Sequence, residues 1–131
     1  MASAREIFWV VDEIVRQLAP EKVILFGSYA YGAPNEDSDV DFMIVTRYRG
    51  DSYAKASQLK IPMDRYFPMD VLVRSPAEMR RRAAMKDWFI IDILEQGIVL
   101  HDQDDARVGG KGRSRLRRRL AAAKVAKPQA V

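Results

Sequence analysis

Asp39 and Asp41 stand one residue apart at the head of the apolar run "VDFMIVT", and a third acid, Asp70, heads the later run "MDVLV". Alternate residues of a strand share a face, so the carboxylates of Asp39 and Asp41 are expected to point together. Two such carboxylates repel and raise each other's pKa unless a cation lies between them. An oxygen-only donor set of this kind suits Mg²⁺ or Mn²⁺. Upstream, "KVILFGSYAYG" runs a β-branched strand into Gly27-Ser28 and then into enough chain for about one helical turn. A glycine that lets the backbone approach closely, a serine hydroxyl and the N–H groups of a helix start together make a phosphate cradle. Mg²⁺ is usually held by a few carboxylates plus substrate phosphates, so cradle and acids together point to a nucleoside triphosphate. Asp70 would complete a carboxylate triad.

The elements that must position these groups can be read from periodicity. Ser3-Ala4-Arg5-Glu6 is a capping-box pattern, and Ile7, Val11, Ile14 and Leu18 follow at helical spacing as far as Pro20. "KVILFG" and "VDFMIVT" read as central strands, apolar on both faces apart from the aspartates. Ser52 to Leu59 is compatible with a helix, while Pro62 and Pro68 limit regular structure beyond it. "MDVLV" reads as a third strand. Ser75-Pro76-Ala77-Glu78 combines a capping serine, proline at the first helical position and glutamate three residues on. From there to Gln96 the chain reads as one long helix or two short ones, closed by Gly97, and "GIVLH" reads as a last strand.

At 131 residues, 48% of them hydrophobic, the chain can build the core of one domain, and no apolar run is long enough to span a membrane. Cysteine is absent and the N-terminus lacks a signal-peptide pattern, so the expectation is a soluble, cytoplasmic protein without disulfides. Cys/His zinc sites and cysteine nucleophiles are excluded, and His101 is the one histidine that could serve a triad. The net charge of +4 is unevenly spread: residues 102 to 131 hold nine Lys/Arg against three Asp, and the rest of the chain is mildly acidic. With Gly109, Gly110 and Gly112 ahead of an arginine cluster and few large apolar groups, this segment is expected to be a basic, flexible C-terminal tail on a domain of residues 1 to 101.

Gly27-Ser28, ten intervening residues and then Asp39-x-Asp41, with Asp70 on a later strand, resembles the signature of the DNA polymerase β-like nucleotidyltransferase superfamily. The small size is similar to its minimal nucleotidyltransferase (MNT) branch, and the resemblance covers residues 1 to about 101. It implies an α+β fold, a small mixed β-sheet flanked by helices. It also implies a two-metal displacement at the α-phosphorus of ATP, in which Asp39 and Asp41 bridge the ions. Gly27 and Ser28 would hold the β- and γ-phosphates, and pyrophosphate would leave in line. Asp70 would bind the metal that contacts the attacking hydroxyl and help to activate it. MNT proteins commonly pair with HEPN proteins in toxin–antitoxin systems, where the MNT member is the antitoxin and transfers AMP from ATP to its partner. The resemblance therefore implies a protein adenylyltransferase with a HEPN-type partner.

Each residue also has a plainer reading. A Gly-Ser pair after a strand is commonly a turn, Asp39 could cap a strand start after Ser38, and Asp70 could be a surface residue beside Pro68. Their joint occurrence at this spacing favours the metal–nucleotide site. Glu36 and Asp37 read as a solvated loop, and Lys22, Arg47, Arg49 and the run Arg80-Arg81-Arg82 as solvent-facing cations. Trp9, Trp88 and Phe89 suit core or interface packing. The basic tail could bind nucleic acid through phosphates, though no aromatic residues interleave with its charges for base stacking. Other functional classes are a catalytically silent nucleotide-binding or steric antitoxin and a small-molecule (antibiotic) nucleotidyltransferase. The last is weakened because that branch normally carries an added helical domain for its acceptor.

Overall fold

The computed structural model describes residues 1–126, with side chains through Ala123. Helix α1 (Ala4–Leu18) opens on the expected capping box: Ser3 Oγ accepts from the Glu6 N–H at 3.1 Å, and the Glu6 carboxylate accepts from the Ser3 N–H at 3.0 Å. Its stripe of Ile7, Val10, Val11, Ile14 and Leu18 is buried. The helix stops at Ala19, which takes a left-handed conformation (φ 45°) ahead of Pro20.

Four strands follow: β1 (Lys22–Phe26), β2 (Val40–Val45), β3 (Met69–Arg74) and β4 (Ile98–Asp102), arranged β3-β2-β1-β4. β1 runs antiparallel to β2 and to β4, whereas β2 and β3 are parallel. A parallel pair needs a crossover, here supplied by α3 (Ser52–Ala56) and a 3₁₀ turn at Met63–Arg65. The central strands β1 and β2 are apolar on both sides because both faces of the sheet are covered. Val23, Leu25, Phe42 and Ile44 face α1, while Ile24, Phe26, Met43 and Val45 pack with Met79, Ile90 and Ile93. Those last three come from α4 (Pro76–Ala84) and α5 (Trp88–Gln96). The segment from Ser75 to Gln96 is thus two helices. Lys86, at φ 60°, breaks the run, and Asp87 caps α5 by accepting from the Phe89 and Ile90 N–H groups.

The expected C-terminal tail is corrected by the structure. Residues 106 to 126 form helix α6 (Ala106–Ala126), and Leu116 and Leu120 are buried in the same core as α1. Two of the three glycines of α6, Gly109 and Gly112, are contact points. A Cβ at Gly112 would overlap the Val99 carbonyl oxygen, and one at Gly109 would press on Leu100 O at 3.2 Å, so bare backbone lets α6 lie flush on β4. Basic groups of this helix also turn inward: Arg113 pairs with Asp12 at 2.7 Å, and the guanidinium groups of Arg113 and Arg117 lie over the Phe8 ring. Residues 127–131 of the expected tail lie outside the described residues. Among the described residues no helix is long and apolar enough to cross a membrane.

Candidate active site

Sheet register brings two of the three acids side by side. Asp41 is the second residue of β2 and Asp70 the second of β3, and the parallel pairing sets them directly opposite each other. By strand alternation Asp41 shares the α4–α5 face with Met43 and Val45, and Asp70 shares it with Leu72. Asp39 precedes the first residue of β2 and is exposed. Burial pushes the Asp41 carboxyl up to about 6. The charges of Asp70 and Asp39 add to this, as does a side-chain hydrogen bond in which protonated Asp41 donates to Asp70.

The Gly27–Ser28 turn lies against this group. Gly27 has φ 74° and ψ −156°, a conformation open to glycine, and a Cβ there would overlap Asp41 Oδ2. Both reasons require glycine. Phe26, just before it, is the register partner of Asp41 on the other side. From Ser28 the chain enters α2 (Ser28–Tyr31), in which the Ala30 and Tyr31 N–H groups donate to Gly27 O at 3.0 Å and the Gly32 N–H donates to Ser28 O at 3.0 Å. The N–H groups of Ser28 and Tyr29 come before these first intra-turn donors, the position at which a helix start leaves amides for an anion. Tyr29 is buried, and its hydroxyl accepts from the Ala2 N–H at 3.0 Å, which ties the turn to the start of α1.

Among the described residues no three His, Cys, Asp or Glu side chains converge tightly enough to hold a metal ion by themselves. The donor set nevertheless suits one. Asp41 and Asp70 are adjacent oxygen donors with Asp39 in electrostatic range. Mg²⁺ takes one or two carboxylates and completes its shell from phosphates and water.

A family model described as a nucleotidyltransferase domain matches residues 10–103. The chain belongs to that family. It is a minimal nucleotidyltransferase domain of the polymerase β-like type, and its four-stranded mixed sheet with flanking helices is the corresponding α+β fold. A Methanocaldococcus jannaschii protein named "Putative protein adenylyltransferase" is 29% identical over 99 residues, covering 71% of this chain and 97% of the relative. A crystal structure of a nucleotidyltransferase, titled "putative", from Sulfolobus solfataricus has the same fold. Its TM-score is 0.56 at 16% identity, over 79% of this chain and 83% of that one. Nucleotidyl transfer is therefore the general activity of this domain.

In this nucleotidyltransferase domain the residues singled out by spacing fall into one neighbourhood: Gly27 touches Asp41, Asp41 pairs with Asp70, Asp39 stands at the strand mouth and Ser28 opens α2. Two residues that shape it escape sequence reading. A Cβ at Gly32 would come within 2.8 Å of Ser28 Cα, so glycine there lets the turn close on itself. Arg119 of α6 donates to backbone carbonyls of the same turn. The i, i+4 pair Leu116/Leu120 was the available sign that α6 would fold back.

Proposed function

We propose that this domain transfers AMP from ATP, with Mg²⁺ or Mn²⁺, to a hydroxyl group of a protein. The observation that carries the reading is the placement of Asp41 against Asp70 on one side and Gly27 on the other. It puts paired carboxylates next to a turn suited to phosphate. A divalent ion held by Asp39, Asp41 and Asp70 would neutralise charge on the phosphates and on the displaced oxygen. Gly27 and Ser28 would orient the β- and γ-phosphates through main-chain N–H groups and the serine hydroxyl, leaving the α-phosphorus beside the acids. Asp70, more exposed than Asp41, would accept the proton of the attacking hydroxyl as the bond from the α-phosphorus to the bridging oxygen breaks and pyrophosphate departs.

Two further observations favour a protein acceptor. The Methanocaldococcus relative is named a "Putative protein adenylyltransferase". On the α4–α5 face, which is also the face of Asp41, Trp88 is 67% exposed and Phe89 and Leu94 are each 48% exposed. Phe89 meets the edge of Phe26, the register neighbour of Asp41, at 5.6 Å. Of these, Phe89 is tied to the site through Phe26, and its exposed part offers an acceptor an apolar surface on which to dock. A HEPN-type toxin, with this domain as its antitoxin, is the acceptor class that the family resemblance favours.

The test is incubation with α-labelled ATP and Mg²⁺, with and without a lysate of the source organism, beside the Asp39→Ala/Asp41→Ala double variant. Label on a protein band that needs both aspartates and is lost with EDTA is the expected result. Mg²⁺-dependent ATP binding without any label transfer would replace catalysis with nucleotide sensing or steric neutralisation.

A further inference from the structure

The arginine-rich helix α6 reaches the nucleotide turn through one side chain. Arg119 Nε donates to the Tyr29 carbonyl at 2.7 Å, and a terminal nitrogen donates to the Ser28 carbonyl at 3.1 Å and to the Gly32 carbonyl. All three acceptors belong to α2 or its C-terminal cap, the helix end at which a cation is favoured, and the Ser28 carbonyl also accepts from the Gly32 N–H. A helix of four residues has no cooperative length with which to hold itself. The guanidinium supplies what further turns would otherwise provide. Desolvation, with like charge from Arg115, lowers the Arg119 pKa, so this cation sits where charge is costly and the carbonyl bonds offset the cost. Among the described residues no carboxylate forms an ion pair with it. The side chain is committed to the turn.

We propose that Arg119 is a positioning residue for nucleotide binding, a clamp by which α6 holds the Gly27–Ser28 turn against Asp41. The inference rests on the reading of that turn as the phosphate-binding element. It gives the basic C-terminal helix a part in the site that is independent of any nucleic acid. The planar fork matters: two nitrogens of one rigid group serve three carbonyls, which the single ammonium of lysine cannot reproduce. The neighbouring anchors keep α6 in place to do this, with Leu116 and Leu120 in the core and Arg113 on Asp12.

The experiment compares wild type, Arg119→Lys, Arg119→Met and a general destabilisation control, Ile14→Val in α1. MgATP affinity and Mn²⁺ affinity without nucleotide are measured, together with amide hydrogen exchange at Tyr31 and Gly32. Arg119→Met is expected to weaken MgATP binding about tenfold or more and to speed exchange at both amides, with Arg119→Lys intermediate. Mn²⁺ affinity should stay within about twofold, because the carboxylates are untouched, and Ile14→Val should change neither readout. A folded Arg119→Met protein that binds MgATP like wild type overturns the clamp and leaves the site reading intact. Wild-type protein that fails to bind MgATP overturns the site reading itself and the clamp's role in nucleotide binding with it. If Arg119→Met does not fold, Arg119→Lys decides by the same criteria.

Discussion

Asp41 and Asp70 are register partners across the parallel strands β2 and β3, so their carboxylates meet on one face of the sheet. The pairing costs stability in the absence of a cation, because one of the two acids cannot ionise freely beside the other. Burial and the charges of Asp70 and Asp39 raise Asp41 to about 6. Carboxylates perturbed in this way cluster at functional sites.

Removing the charge should separate stability from activity. Asp41→Asn is expected to abolish nucleotidyl transfer, by about a thousandfold or more, while stabilising the nucleotide-free protein at pH 7. The gain should be about 1 kcal/mol after allowing for the solvent screening of a half-buried group. Urea melts in EDTA beside transfer assays with Mg²⁺ check both halves, and an Asp41→Asn protein less stable than wild type would count against the strained-carboxylate account.

The same group sets a pH window. Native Asp41 keeps a proton up to about pH 6, whereas the unfolded chain gives up the corresponding proton near pH 4. Between these values the native state binds more protons, so this residue's contribution to stability falls as pH rises. Wild type should therefore lose stability relative to Asp41→Asn from pH 4 to 6. Divalent-ion and MgATP affinity should move oppositely, weakening as pH drops below about 6, because a protonated Asp41 cannot ligate. Parallel melts and titrations from pH 4.5 to about 8 would read both slopes.

Gly27→Ala tests whether backbone and acid are packed as one unit. The substitution meets a positive φ and an overlap with Asp41 Oδ2 together. A destabilisation of about 1–3 kcal/mol is expected, with a loss of MgATP affinity larger than that from Ser28→Ala. Thermal melts and nucleotide titrations on both variants provide the comparison.

The status of α6 can be tested without nucleotide. Leu116→Ala should cost about 2–5 kcal/mol, and Gly112→Val should be at least as damaging because its side chain would have to displace α6 from Val99. A detachable tail would tolerate both changes, so unaltered urea midpoints would return residues 106–126 to that description.

The primary structure by itself determined the strands, their aspartates, the Gly-Ser turn and the capped helices, because these are local patterns. The Ser3–Glu6 box, the β-branched run before Gly27 and Ser75-Pro76 each act over a few residues. The Gly-Ser and Asp-x-Asp spacing also carried the family. Tertiary structure alone decided which acid lies against which. The Asp41–Asp70 partnership is a matter of strand register across a crossover, and Asp39 lies just before β2 and not on the strand face of Asp41. It also decided the fate of the C-terminal arginines. Composition suggested a solvated tail, but Leu116 and Leu120 needed only β4 and α1 to pack on, and Gly112 allowed that contact. Once α6 lies there, Arg119 meets the Tyr29 and Ser28 carbonyls, 90 and 91 residues earlier in the chain. No local pattern encodes that meeting, because it is created when α6 and α2 are brought together around the same sheet.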